Sequence, residues 1–247
     1  MKALVAGDGP ESLLELAEVE EPDCRRVVGG AAVGGGPAVG TPVVGFLGEG
    51  AWGERVAVPV NRVGVIADGC SRDQAAATPV VGLTALRALR LGGLLAGRRV
   101  AVLGANGAIG RVAIQLAARS DAEVTAVTRD PAAAPDLPDL GAATVVADPS
   151  GARYDIVLDG VGGTLGSAAI RALAPEGTYV IYGNAAGAPI EIDPGTFFGE
   201  APEARIHSLR VDASRGQDRF GADLEHLSRL VAAGELDFEP AEPVDWR

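Results

Sequence analysis

Between residues 98 and 130 the pattern of apolar and polar positions changes period twice, and the changes describe one strand, one glycine turn, one helix and a second strand. Val100, Ala101, Val102 and Leu103 form an unbroken apolar run, as a strand buried on both faces requires. The turn Gly104-Ala105-Asn106-Gly107-Ala108-Ile109-Gly110 follows at once, and Ile109, Val112, Ala113, Leu116 and Ala117 then recur at helical spacing. Glu123 to Thr128 supply the second strand, which completes a βαβ unit.

The alternation continues. Ala143 to Ala147 and Tyr154 to Leu158 read as strands, the second ending in Asp159-Gly160-Val161-Gly162-Gly163. Gly166 to Leu173 reads as a helix, Gly177 to Tyr182 as a strand ending at Gly183-Asn184, and Arg205 to Val211 as a last short strand. Leu224, Leu227, Leu230 and Val231 mark the apolar stripe of a closing helix. Strands alternating with helices predict a doubly wound parallel sheet. In such a sheet ligands lie outside the carboxyl ends of the strands, so the three glycine turns are expected to face one crevice.

The first eighty residues have a different texture. Lys2 to Val5, Leu13 to Val19, Thr41 to Phe46, Trp52 to Val58 and Arg62 to Ile66 are short alternating segments set off by Gly and Pro, which predicts a small antiparallel β-domain. Gly29 to Gly40 is rich in glycine and reads as a loop, and Gln74 to Leu91 reads as helices leading into the parallel sheet.

The glycines point to a dinucleotide. Glycine lets the turn tighten, lets the backbone approach a pyrophosphate and lets the helix pack on its strand, while the helix start offers unpaired N–H groups to phosphate. The motif departs from the full G-x-G-x-x-G, because Ala105 stands where its first glycine would be. At the end of the second strand a cofactor without a 2′-phosphate meets an acidic residue, whereas here Thr128 and Arg129 stand there. Arg129 suits a bidentate contact with a 2′-phosphate, which favours NADP. Asp130 is next, and a shift of one position would bring an acid to the ribose instead.

Charge and composition exclude several classes. With 21 basic and 33 acidic residues the formal net charge is −12, which repels nucleic acid and anionic membranes. No apolar stretch reaches the length of a membrane span and the first residues do not read as a signal peptide, so a cytoplasmic location is expected. Lys2 is the single lysine, which removes Walker A loops, pyridoxal phosphate chemistry and the Tyr-x-x-x-Lys pair of short-chain dehydrogenases. Cys24, Cys70, His207 and His226 form no metal-ligand spacing, so no metal site is expected.

Taken in order, MKALVA at the start, GEGAWGERVAVP at 48–59, AATPVVGLTALRAL at 76–89, GANGAIGRVAIQLA at 104–117, LGA at 140–142, DGVGG at 159–163 and LVAAGEL at 230–236 resemble the zinc-free medium-chain dehydrogenase/reductase family, in its quinone oxidoreductase-like branch. The resemblance implies an α/β architecture: an abridged GroES-like antiparallel β-domain at 1–82 on the catalytic side, a Rossmann dinucleotide-binding domain at 83–212, and a C-terminal helix and tail at 213–247 returning toward the β-domain. It implies an enzyme moving a hydride from NADPH to an enone, a quinone or a similar electrophile, with a homodimer as the assembly. Cofactor-binding roles carry over to Gly104, Asn106, Gly107, Ala108, Ile109 and Gly110, to Thr128 and Arg129, to Gly160 and Val161, and to Gly183 and Asn184. Thr84 matches a position near the nicotinamide. In such reductases the proton comes from water, and no catalytic residue is named.

The departures from the family are as informative. After Val19-Glu20-Glu21-Pro22 the family continues through a strand, a segment with an active-site asparagine and a substrate loop, whereas this chain passes to Cys24-Arg25-Arg26 and resumes in the later β-domain. The family also adds a helix and a closing strand beyond the position of Val244 to Arg247. The expectation is an abridged catalytic domain, and the second reading is a nucleotide-binding relative with a regulatory or non-redox role. Arg205 to Val211 is expected at a sheet edge, with Ile206, Leu209 and Val211 as apolar surface for pairing with a second copy.

Overall fold

Parallel strands cannot be joined by a hairpin, so each must return through a crossover, and the stretch from residue 99 to 208 does so repeatedly. The computed structural model describes residues 2–5, 15–18, 37, 41–47, 58–212 and 217–238. Cys24, the loop expected at Gly29 to Gly40 apart from Pro37, the segment 48–57 with most of the strand expected at Trp52 to Val58, and residues 239–247 lie outside the described residues. The chain divides into two compact units, Val81–Val211 with Leu236–Phe238, and Met1–Val80 with Asp212–Glu235 and Glu239–Arg247.

The first of these units is built on a six-stranded parallel sheet. Its strands are β5 (Arg99–Leu103), β6 (Glu123–Val127), β7 (Thr144–Val146), β8 (Tyr154–Asp159), β9 (Leu173–Ile181) and β10 (Arg205–Ser208). The spatial order is β10-β9-β8-β5-β6-β7. The chain therefore winds outward from β5 through β6 to β7, returns to the other side of β5 at β8, and winds outward again. This is the doubly wound Rossmann order, with its switch point between β5 and β8. Val100, Ala101, Val102 and Leu103 are fully buried, which explains why the central strand reads as a continuous apolar run.

Helices cover both faces. On one side lie α2 (Leu83–Gly92) and α3 (Ala108–Arg119), which pack against each other. Gly92 of α2 sits so close to β8 that a Cβ there would stand 2.8 Å from Ile156 Cγ2. On the other side α4 (Gly163–Arg171) contributes Ala169 and Ile170 to a core with Leu103, Val157, Leu173 and Tyr179. The helix stops at Arg171 and β9 begins at Leu173, four residues before the Gly177 start expected from the pattern. The register between β8 and β9 shifts between Tyr154 and Ile156, and Glu176, at φ +58°, turns its N–H to Pro202. That irregularity hides the beginning of the strand. A single helical turn, α5 (Gly195–Phe198), lies on the path from β9 to β10.

The last strand ends at Ser208, short of the expected Val211. It pairs with β9 alone and forms the sheet edge. Ile206 is 41% exposed there, but Leu209 is 8% exposed, with its N–H bonded to Ile181 O at 2.7 Å. Leu209 thus belongs to its own unit's interior and offers no apolar surface for a partner.

In the other unit, β1 (Lys2–Val5) pairs antiparallel with β2 (Glu15–Glu18), and β3 (Val43–Gly45) with β4 (Val63–Val65). α1 (Arg72–Ala77) opens with a capping box in which Ser71 and Gln74 satisfy each other's backbone N–H groups, at 3.2 and 3.1 Å. A π-turn, Thr78–Gly82, follows it, where Pro79 lacks the N–H that a regular helix would use. α6 (Phe220–Ala232) belongs to this unit and lies on β3 and β4. Phe220 meets Phe46 edge to face, with ring centroids 5.3 Å apart, and Ser228 Oγ accepts the Ala67 N–H at 3.1 Å.

The approach of α6 to β4 depends on two glycines, Gly64 and Gly221. A Cβ on Gly64 would lie 2.5 Å from Gly221 O and 2.7 Å from Glu225 N, both backbone atoms that cannot swing aside. Gly64→Ala should therefore destabilise this unit by about 1–3 kcal/mol, the range for overpacking. Urea unfolding that showed wild-type stability would mean that helix and strand separate at no cost.

Candidate functional site

The carboxyl ends of β5, β8 and β9 converge on one edge of the sheet, each running into a glycine turn. After β5, Gly104 adopts φ +72° and its N–H, like that of Ala105, bonds to Val127 O, at 3.0 and 3.1 Å. Gly107 then caps α3 with no side chain over the helix end. The first-turn N–H groups of Ala108, Ile109 and Gly110 have no acceptor within the helix and carry the positive end of its dipole. Gly110 faces back into the turn, where a Cβ would stand 2.5 Å from Gly104 O and 2.8 Å from Ala105 Cα. Asn106, Gly107 and Ala108 are exposed, so the helix end is open to a ligand. Arg111, one residue further, forms an ion pair with Asp136 and donates to Asn106 Oδ1 at 3.4 Å. The hydrogen bond from Arg111 holds the Asp136 carboxyl below the usual carboxylate range.

The turn after β8 is built by a buried carboxylate. Asp159 is fully buried. Its Oδ1 accepts the N–H groups of Val161 and Gly162, at 2.7 and 2.9 Å, and its Oδ2 accepts the Tyr179 hydroxyl at 2.5 Å. Burial, followed by the Asp159 charge and hydrogen bond, pushes the Tyr179 phenol far above its ordinary range, so it stays a donor. The side-chain acceptor pattern is an Asx-turn, which is what Asp at a strand end before Gly can produce. The sequence pattern credits this turn to its glycines and passes over Asp159 and Tyr179; the one local signal is the acid placed immediately before the first glycine.

The turn after β9 leans on its neighbour. Ala185 N–H bonds to Gly160 O at 3.1 Å and Ala186 N–H to Val161 O at 2.8 Å. Gly183 packs on Gly160, since a Cβ at Gly183 would meet Gly160 O at 2.8 Å. Gly160 in turn leaves room for Tyr182, whose ring would be 2.6 Å from a Cβ there. The Tyr182 hydroxyl donates to Leu103 O at 3.4 Å, so a side chain from the end of β9 reaches across β8 to the end of β5. Burial, with the Asp159 charge, raises this phenol as well.

Of the residues expected at the cofactor, Gly104, Asn106, Gly107, Ala108, Ile109, Gly110, Gly160, Val161, Gly183 and Asn184 therefore stand on three mutually contacting turns. Thr128 and Arg129 follow β6, beside β5. Thr128 is 8% exposed and Arg129 is exposed. Asp130, the acid that competes for the ribose position, uses its carboxylate on the Ala132 N–H at 3.1 Å to cap a short helical turn. Thr84 is 6% exposed in the first turn of α2, and its side chain makes no hydrogen bond among the described residues. No group of three or more His, Cys, Asp or Glu side chains is placed to hold a metal ion among the described residues, and none of their helices is long and apolar enough to cross a membrane.

The chain is similar to known proteins in sequence and fold. The family model for zinc-binding dehydrogenases matches residues 108–227. The erythronolide synthase EryA2 of Saccharopolyspora erythraea is 32% identical over 82% of this chain, and the mitochondrial NAD(P)H oxidoreductase RTN4IP1 of Bos taurus is 36% identical over 51% of it. The chain spans 6% of the length of the first and 35% of the second. The quinone oxidoreductase of Thermus thermophilus, solved also with NADPH, superposes with a TM-score of 0.71 at 27% identity, covering 96% of this chain and 86% of that one.

The Asp159 network sets a measurable dependence. Tyr179→Phe leaves one buried carboxylate oxygen without its donor and should lower the unfolding free energy by about 1.5–3 kcal/mol, the value of a hydrogen bond to a charged group. Denaturant titration would give the loss directly, and an unchanged midpoint would show that Asp159 does not depend on this hydroxyl.

Proposed function

Because the chain belongs to the quinone oxidoreductase-like medium-chain dehydrogenases/reductases, we propose that it is an NADPH-dependent oxidoreductase reducing an enone, a quinone or a similarly electrophilic small molecule. The observation that carries the cofactor assignment is the pairing of an open helix end at Gly107 with Arg129 after β6, while Asp130 is committed to its own turn. The cradle fits a pyrophosphate: Gly104 and Gly110 let the turn close tightly on itself, and Gly107 leaves the helix end uncovered. The first turn of α3 holds the phosphates, Arg129 and Thr128 take the 2′-phosphate, and the turns at Gly160–Val161 and Gly183–Asn184 border the rest of the dinucleotide. Thr84 is assigned to the nicotinamide side.

NADPH, when bound, supplies the hydride. The chain's own part is orientation. A turn whose N–H groups are tied to a buried carboxylate, and which carries the neighbouring turn on its carbonyls, holds a bound dinucleotide in one pose relative to an electrophile. The proton is assigned to water, and no side chain to general acid catalysis. The reading is zinc-independent, in keeping with a donor set of two histidines and two cysteines in the whole sequence. The location is proposed to be the cytoplasm.

Arg129→Ala should weaken NADPH binding by about 1.5–3 kcal/mol, tenfold or more, while leaving NADH binding within a factor of about two. Calorimetry with both cofactors would test this, alongside NADPH oxidation against a panel of quinones and enones. Equal losses for the two cofactors would remove the 2′-phosphate contact, and turnover of no electrophile by the intact protein would remove the redox reading.

The assembly is proposed to be a homodimer formed along β10, the open edge of the sheet, with exposed Ile206 at the contact. Ile206→Lys should convert the dimer to monomer in sedimentation at micromolar concentration. A wild-type monomer under those conditions would contradict the proposal.

A further inference from the structure

At the opposite edge of the parallel sheet, where the strands begin, Arg99, Arg153 and Arg171 line a cavity of about 350 Å³ together with Ser150, Gly151 and Ala168. Arg99 opens β5, Arg153 immediately precedes β8, and Arg171 ends α4. Arg98 stands beside them, 3.7 Å from Asp155 Oδ1. Four guanidiniums in one place are unexpected in a chain of net charge −12.

The carboxylates nearby do not use up these donors. Asp155 holds Arg99 through Nε and Nη2, both at 3.1 Å, and also takes its backbone N–H at 2.9 Å. Glu123 adds a further negative charge near Arg99. Asp148 bonds to Ser150, taking N–H at 2.9 Å and the hydroxyl at 2.6 Å, and feels the charge of Arg171. Arg153 turns Nη1 to two carbonyls, Arg171 O at 2.6 Å and Leu173 O at 3.3 Å, which fixes its guanidinium at the cavity wall and leaves Nε and Nη2 for a ligand. The Arg171 guanidinium has no hydrogen-bond acceptor among the described residues.

We propose that this cavity binds a tetrahedral oxyanion, the phosphate of a small phosphorylated metabolite, at a site separate from the nucleotide crevice. A guanidinium presents donors in a planar fork that matches two oxygens of a phosphate, and one already held by carbonyls loses little freedom on binding. The volume falls within the range of small-molecule sites and exceeds that of a bare phosphate, leaving room over Ala168 and Gly151 for the group that carries it. The cavity and the nucleotide crevice lie at opposite ends of the strands, with the five residues of β5, about 16 Å of extended chain, between them.

Calorimetric titration of the full chain with inorganic phosphate and with phenyl phosphate, at matched ionic strength, tests the site. One saturable event is expected. Gly151→Glu adds a carboxylate where a Cβ meets nothing within 4 Å, and Arg171→Glu reverses an exposed charge, so both variants keep the fold, checked by an unchanged thermal midpoint. Each should weaken binding at least tenfold, while Arg129→Ala, at the other edge, should leave it within twofold. Tighter binding of phenyl phosphate supports a phosphomonoester as ligand, and equal affinity supports recognition of the phosphoryl group alone. Absence of saturable binding, affinity unmoved by both cavity substitutions, or loss of binding in Arg129→Ala would overturn the proposal.

Discussion

A carboxylate withdrawn from water keeps its place only while its oxygens are supplied with donors, and the carboxyl edge of the parallel sheet is organised around one such group. Asp159 ends β8, receives two N–H groups of the following turn on one oxygen and receives the Tyr179 hydroxyl of β9 on the other. Any other path for the turn would leave a buried charge short of donors, at a cost of several kcal/mol in a low-dielectric interior. The turn is therefore held in one conformation. Gly162, at its end, caps α4, so the same contact also sets where that helix begins.

Around this fixed turn the neighbouring segments come together at backbone distance. Gly183 rests on Gly160, Tyr182 crosses over Gly160 to Leu103, and Gly104 approaches Val161. Close approach without side chains has two effects at once: it draws three strand ends together, and it leaves backbone N–H groups at the surface of the crevice. The helix end at Gly107 adds its dipole to them. A rigid, glycine-lined edge is suited to a cofactor that carries its own chemistry and needs the protein for position.

Charge is distributed in keeping with this division. The chain is acidic as a whole, yet arginines stand at both edges of the sheet: Arg111 and Arg129 toward the carboxyl ends, and Arg98, Arg99, Arg153 and Arg171 toward the amino ends. Arg111 is balanced by Asp136 and Arg99 by Asp155. Arg129, Arg153 and Arg171 are exposed, and these are the cations proposed to meet phosphate. An acidic background lowers the local concentration of anions, so recognition has to come from fixed guanidiniums at short range and not from the field of the whole molecule.

What the sequence determined by itself was local. The unit from Arg99 to Val127 is legible because the apolar run, the glycine turn and the helical stripe each lie within a dozen residues, and both periods are properties of one element at a time. The paired strands β3 and β4 follow from alternation in the same way. The pattern does not reveal that Leu209 turns inward, that β9 starts at Leu173 behind a break in register, or that Asp159 is filled by a tyrosine twenty positions later. Nor does it show that Gly64 and Gly221, 157 positions apart, are glycines for each other's sake. Those facts arise only when distant segments are brought to within a few ångströms. Whether a side chain there is a donor, an obstacle or an empty space depends on the atoms opposite it, which periodicity along the chain does not encode.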